Sequence, residues 1–260
     1  MTPIRTIPDA YTPADGALAE RTILITGAAT GIGRAMARAA ADAGATVVLL
    51  DRQLRGLEKV YDEIEKDGGP QPALYPLDLL GASPDDYAEL VDRLWDSLGG
   101  IDTLVHNAAE LGQPAPLAHY DIESWYRTLQ INLNAPFLLT RACLPLLLAA
   151  QSPRLLFVSD SAGRQGKPFT GAYGVSKWGL EGLLQTLVAE LPDDTPLLAS
   201  SVNPGPVRTA LRRKAYPAEP AESHPPPESV AGRLLFTVDP ANPVTQGGRY
   251  RLHDQDGSGA

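Results

Sequence analysis

The 260-residue chain is almost without cysteine; its one thiol, Cys143, excludes an internal disulfide and fits a reducing compartment. Histidine is scarce too, and the four present lie far apart, so no Cys/His spacing suggests zinc or another metal. Basic charge falls short of acidic: 22 Lys and Arg against 31 Asp and Glu give a net charge of −9. That balance disfavours nucleic acid and anionic membranes as partners. Long apolar runs are missing. The longest, from Phe137 to Ala150, spans about 14 residues and is broken by Arg141 and Pro145, where a membrane span needs about 20. It reads as a buried helix in a soluble protein. Residues 1–21 lack the apolar segment of a secretory signal and read as a loose N-terminal arm, with 254–260 as a C-terminal tail. A cytoplasmic location is expected.

What the chain does have is 43% hydrophobic residues and 24 each of glycine and proline, the composition of a globular chain with many turns. Short apolar runs at 22–26, 46–50, 73–77, 103–106, 154–159, 197–202 and 249–252 predict strands covered on both faces. Helical patterns fall between them at 32–43, 53–67, 84–98, 124–149, 172–190 and 228–237. The alternation predicts one domain over 22–253: an α/β doubly wound, Rossmann-type parallel sheet of seven strands with helices on both faces. Residues 204–227 hold seven prolines and the basic patch Arg212, Arg213 and Lys214. That stretch is too long for an ordinary connection and is read as a substrate loop. Its basic patch suits either an acidic substrate group or plain solvent.

The first strand runs into Thr26-Gly27-Ala28-Ala29-Thr30-Gly31-Ile32-Gly33, which opens the first helix. Glycines let such a turn approach a pyrophosphate whose charge sits on the positive helix N-terminus. Asp51 ends the second strand, placed to accept adenosine ribose hydroxyls. A glycine cluster alone is as often merely a tight turn, but between a strand and a helix and followed by Asp51 it predicts a dinucleotide site.

Gly27-x-x-x-Gly31-x-Gly33 followed by Tyr173-x-x-x-Lys177 resembles the compact, single-domain short-chain dehydrogenase/reductase family. The resemblance extends to Asp78 after the third strand, to His106-Asn107-Ala108-Ala109, to Asn132 and to Pro204-Gly205-Pro206-Val207-Arg208-Thr209. Gly163-Arg164-Gln165-Gly166 and the leucines ending at Leu148 are similar to a bacterial subgroup of poorly defined substrate. The resemblance implies a sheet order of 3-2-1-4-5-6-7, a homodimer or homotetramer, and an NAD(P)-dependent oxidoreductase acting on an alcohol or carbonyl. It implies a cofactor site from Gly27, Thr30, Gly31, Ile32, Gly33, Asp51, Arg52, Asp78, Leu79, Asn107, Ala108, Tyr173, Lys177, Pro204, Gly205, Val207 and Thr209. Asp78 would touch adenine and Thr209 the nicotinamide carboxamide. A carboxylate at Asp51 and uncharged Ala29 and Thr30 favour NAD, whereas Arg52, if turned inward, would grip the 2′-phosphate of NADP.

Tyr173 and Lys177 lie one helical turn apart on one face. An ammonium beside a phenol lowers a pKa that is otherwise near 10, toward the working range. The resemblance makes Tyr173 the proton donor and acceptor, gives Lys177 a second role on the nicotinamide ribose, and has Asn132 fix a water that links Lys177 to solvent. It also calls for a hydrogen-bond-donating serine thirteen residues before the tyrosine, where Asp160 stands. An ionised Asp cannot donate. At about 4 Å it would repel a phenolate by roughly 4 kcal/mol at an effective dielectric of 20, about three pKa units upward. Three readings of Asp160 stay open: a protonated donor; a partner of Lys177 or Arg164 in a weakened enzyme; or the mark of a pseudoenzyme or redox-sensing regulator that binds cofactor without turnover. His106 reads as a packed strand-end residue.

Overall fold

In a computed structural model of the chain, which describes residues 3–253, the elements fall close to where the sequence pattern puts them. Strands β1 (Ile4–Thr6), β2 (Thr22–Thr26), β3 (Thr46–Asp51), β4 (Ala73–Pro76), β5 (Thr103–His106), β6 (Arg154–Val158), β7 (Leu198–Asn203) and β8 (Gly248–Arg251) form one sheet. It has eight strands, all parallel, in the order β1-β8-β7-β6-β5-β2-β3-β4.

Seven strands were expected, and the eighth corrects the reading of a loose N-terminal arm. Ile4–Thr6 pairs with Arg249–Arg251, and Ile7 and Leu18 beyond it are fully buried. A three-residue strand without strong alternation has no local signature, because its pairing partner lies at the far end of the chain. The expected tail, 254–260, lies outside the described residues.

Helices α1 (Gly31–Asp42), α2 (Leu54–Lys66), α3 (Pro84–Leu98), α4 (Ile122–Leu129), α5 (Ala135–Ala149), α6 (Gly171–Glu190), α7 (Ala210–Ala215) and α8 (Pro227–Leu234) cover the sheet. Strand alternation feeds two cores. On β2, Ile23 and Ile25 join the alanine-rich core under α1 and α8, while Leu24 joins the leucine-rich core under α3, α5 and α6. Ser83 and Asp86 cap α3 reciprocally, and Gly99 ends it at φ +73°. Between α4 and α5, residues Gln130–Asn134 form a π-helical turn, so the two run on as one apolar stretch. Ile122–Ala149 is long and apolar enough to cross a membrane, but half of its most apolar window is buried in the fold. Leu139, Cys143 and Leu147 are buried along it, as a core helix requires.

The strand order reverses between β2 and β5, which opens a crevice at their C-terminal ends. All the chemistry discussed below lies there.

Candidate active site

The crevice is a continuous cleft of about 1090 Å³ lined by the ends of β2, β3, β5, β6 and β7 and by the 204–216 segment. At one end the chain turns sharply through Gly27 (φ +69°) and Gly31 (φ +57°) into α1. A Cβ on Gly27 would lie 2.9 Å from the Ala108 Cα, and one on Gly33 would lie 2.2 Å from the Gly27 carbonyl oxygen, so the turn tolerates glycine alone. Thr30 stands at the N-cap of α1, and its side chain makes no capping bond. The first N–H groups of the helix are therefore left for an anion, and the residues present fit the pyrophosphate of a dinucleotide.

Every cofactor residue singled out from the sequence lines this cleft except Gly33, which packs behind Gly27. Asn107 braces the turn: its Nδ2 donates to the carbonyls of Thr26 and Gly27, while the backbone N–H groups of Asn107 and Ala108 donate to Thr26 Oγ1. Asp51 Oδ2 accepts from the Ala29 N–H at 3.3 Å and Oδ1 from the Gln53 N–H at 3.0 Å. Arg52 beside it is exposed on the cleft. Asp78 folds back on the Leu80 N–H. Thr209 caps α7 by accepting from the Arg212 N–H at 3.1 Å.

At the other end, β6 delivers Asp160 and α6 delivers Tyr173 and Lys177, all against the cleft. The Tyr173 hydroxyl donates to Asp160 Oδ2 at 3.0 Å. Asp160 Oδ1 accepts from the Ala162 N–H at 2.7 Å and from Ser161 Oγ at 3.2 Å. Neither ionic partnership considered for Asp160 is formed. Lys177 Nζ donates to the Val158 carbonyl at 2.8 Å, and Arg164 reaches Glu181. The three partners of Asp160 are thus two hydroxyls and one backbone N–H.

Burial first, and the Asp160 carboxylate second, hold the Tyr173 phenol well above the ordinary tyrosine pKa. The expected lowering by Lys177 is absent, although its Nζ lies 5.6 Å from the phenol ring centre. Burial pulls Lys177 itself down to about 8, against the opposing pull of Asp160 and Glu181. Asn132 sits in the π-turn, fully inside. Its Oδ1 accepts from the Glu110 N–H, and its Nδ2 donates to the Glu110 carbonyl and to Ser176 Oγ. None of these bonds reaches Lys177.

Sequence reading missed a buried carboxylate one turn beyond Lys177. Glu181 accepts from Ser159 Oγ at 2.6 Å and from Ser201 Oγ at 3.1 Å, and pairs with Arg164 at 3.3 Å and Arg249 at 3.2 Å. It ties α6 to β7, to β8 and to the loop carrying Asp160. A signal existed: Tyr173, Lys177 and Glu181 recur every four residues, on the stripe of α6 that faces the sheet. His106, the other unusual residue, stacks on Phe157 with ring centres 5.0 Å apart and bonds Thr140 Oγ1 at 2.7 Å. Burial lowers it to about 3, so it is a neutral packing residue.

Known proteins share this architecture. A family model described as short chain dehydrogenase matches residues 21–220. An uncharacterized oxidoreductase of Escherichia coli, YciK, is 39% identical over 228 residues, which is 88% of this chain and 90% of that protein. A short chain dehydrogenase structure from Pseudomonas syringae superposes with a TM-score of 0.91 at 42% identity, covering 94% of this chain and 98% of that one. A Shigella flexneri short chain dehydrogenase complexed with NADP superposes at 0.89 with 36% identity, covering 92% and 99%.

Proposed function

Because this chain belongs to the short chain dehydrogenase family, we propose that it is an NADP-dependent oxidoreductase exchanging hydride with a small substrate held against Asp160 and Tyr173. The observation that carries this reading is the single cleft joining the uncapped start of α1 to the buried Tyr173–Lys177 pair. A nicotinamide dinucleotide bound along it would supply or take up the hydride. Gly27, Gly31 and Gly33 would admit the pyrophosphate, Asn107 keeps that turn in shape, and Thr209 and Val207 would hold the nicotinamide end. Lys177 stands behind Tyr173 as the cationic group of the ribose end. Tyr173 holds a proton at Oη.

NADP is preferred here to the NAD that Asp51 and the uncharged Ala29 and Thr30 favour in the sequence. Both Asp51 oxygens are taken by the chain's own N–H groups, while Arg52 lies exposed on the cleft beside them, placed for a 2′-phosphate. The similar Shigella protein was crystallised with NADP, in keeping with that choice. Nucleotide fluorescence titration with NADPH and NADH, followed by a panel of alcohols, ketones and amines monitored at the nicotinamide band, tests the proposal. NADPH binding with turnover of any class supports it. Tighter binding of NADH overturns the cofactor choice.

A second reading, a cofactor-sensing regulator, is favoured by the Tyr173–Asp160 bond, which turns the phenol proton away from a substrate. NADPH binding without turnover across the panel would establish it. The exposed apolar side chains Phe137 and Leu148 of α5 and Val175 and Trp178 of α6 support self-association into a dimer or tetramer, measurable by light scattering.

A further inference from the structure

Asp160 Oδ2 and Tyr173 Oη lie 3.0 Å apart on the cleft wall, and the one proton of the phenol is committed to the carboxylate. Asp160 draws its other bonds from the Ala162 N–H and Ser161 Oγ, so all three of its partners are neutral. The cations nearby are turned to other acceptors. Lys177 Nζ meets the Val158 carbonyl, Lys167 Nζ meets Ser161 Oγ at 2.7 Å, and Arg212 forks onto Glu219 with two contacts of 2.7 Å. A substrate atom brought to the Asp160–Tyr173 pair therefore faces lone pairs. A carbonyl oxygen finds no donor there; a nitrogen that carries hydrogen finds acceptors.

Charge development points the same way. Hydride leaving an alcohol carbon, or arriving at a carbonyl, involves negative charge on oxygen. Hydride leaving an amine carbon develops positive charge on nitrogen, and a fixed carboxylate stabilises only the second. Leu111, Phe169 and Tyr216 line the same cleft and suit a hydrocarbon ring.

We propose, resting on the oxidoreductase reading above, that Asp160 selects substrates of the amine/iminium class, so that the bond oxidised or reduced is carbon–nitrogen. In the reducing direction a protonated imine accepts hydride at carbon. The π pair of its C=N bond passes to nitrogen, the product is a neutral secondary amine, and a reduced nicotinamide is oxidised in return. The N–H is present throughout and is aimed at Asp160, so this step requires no proton from Tyr173. Asp160 thus touches the substrate in place of a hydroxyl donor.

Matched ring pairs test the proposal: tetrahydroisoquinoline against tetralol for binding, dihydroisoquinoline against tetralone for reduction. Titration calorimetry, with and without NADP, is run on the wild-type protein and on Asp160→Asn and Asp160→Ser, each checked for an unchanged melting temperature. The wild type is expected to bind the ammonium ring on the order of tenfold to a hundredfold more tightly than the alcohol. Both variants should lose that preference, and Asp160→Ser should gain in tetralone reduction. Equal binding of the two rings by the wild type, or a preference kept in both variants, overturns the proposal. The oxidoreductase reading fails separately. Ammonium preference without hydride transfer to either ring upholds the selectivity and sinks the activity; tetralone turnover without ammonium preference does the reverse.

Discussion

At the α1 end of the cleft, Gly27, Gly31 and Gly33 offer backbone and an open helix N-terminus, and no buried charge is needed to shape the site. At the α6 end, the interior holds Tyr173, Lys177, Glu181, Arg164 and Arg249, with Asp160 on the wall. The first end is built from chain geometry and works through dipoles that cost little to expose. The second is built from charges that the fold must satisfy at short range, since each loses its hydration on burial. One end therefore accepts its ligand by shape, whereas the other fixes what chemistry its ligand can have.

If the two ends are separable, Tyr173→Phe should lower any alcohol or ketone turnover by about 10² to 10⁴, and iminium reduction far less, while leaving NADPH affinity within a factor of about two, by kinetics and fluorescence titration. A parallel loss of NADPH affinity would break the division. Next in size, Glu181→Leu leaves the guanidinium groups of Arg164 and Arg249 in the interior without the carboxylate between them. It should cost about 3 kcal/mol or more, seen as a melting temperature lower by roughly 10 °C. An unchanged melting temperature would mean that the charges at this end are less interdependent than their geometry implies.

His106, buried at the end of β5 against Phe157 and Thr140, has an effect that depends on pH. Below about 6.5 the unfolded chain takes up a proton that the buried folded ring, lowered to about 3, refuses. Stability therefore falls as pH drops through that window, by about 2 kcal/mol at pH 5. His106→Asn should flatten the loss between pH 7 and pH 5 in thermal unfolding; an identical slope would refute the assignment. Smallest is Arg52→Ala at the α1 end, expected to weaken NADPH about tenfold and NADH hardly at all, with turnover at saturation unchanged. Equal weakening of both nucleotides would remove Arg52 from the 2′-phosphate.

The two ends also differ in how far they can be read from sequence. The glycine turn is legible because strand, turn and helix are contiguous, and its conformations are open to few residues other than glycine. The Tyr173–Lys177 pair is legible for the same reason, since four residues on a helix fix a neighbourhood. Glu181 continues that stripe, but its partners, Arg164, Ser201 and Arg249, come from three other segments. The π-turn that buries Asn132 departs from the regular helix by one residue, and periodicity over a long apolar stretch does not register it. The edge strand Ile4–Thr6 is a matter of pairing across 245 positions, which no local pattern encodes.

By itself the sequence determined the alternation of strands and helices, the dinucleotide turn and the presence of a tyrosine and lysine on one helical face. Each of these is set by steric and hydrogen-bonding preferences acting within about four residues. Only the tertiary structure decided what Asp160 does. Two ionic partners, Lys177 and Arg164, were open to it on paper, and the packing of the turn after β6 against α6 put the Tyr173 hydroxyl at 3.0 Å while Lys177 went to Val158 and Arg164 to Glu181. Electrostatic interactions fall off over a few ångströms in a screened medium, so the choice among charged partners depends on distances that exist only once the chain is folded.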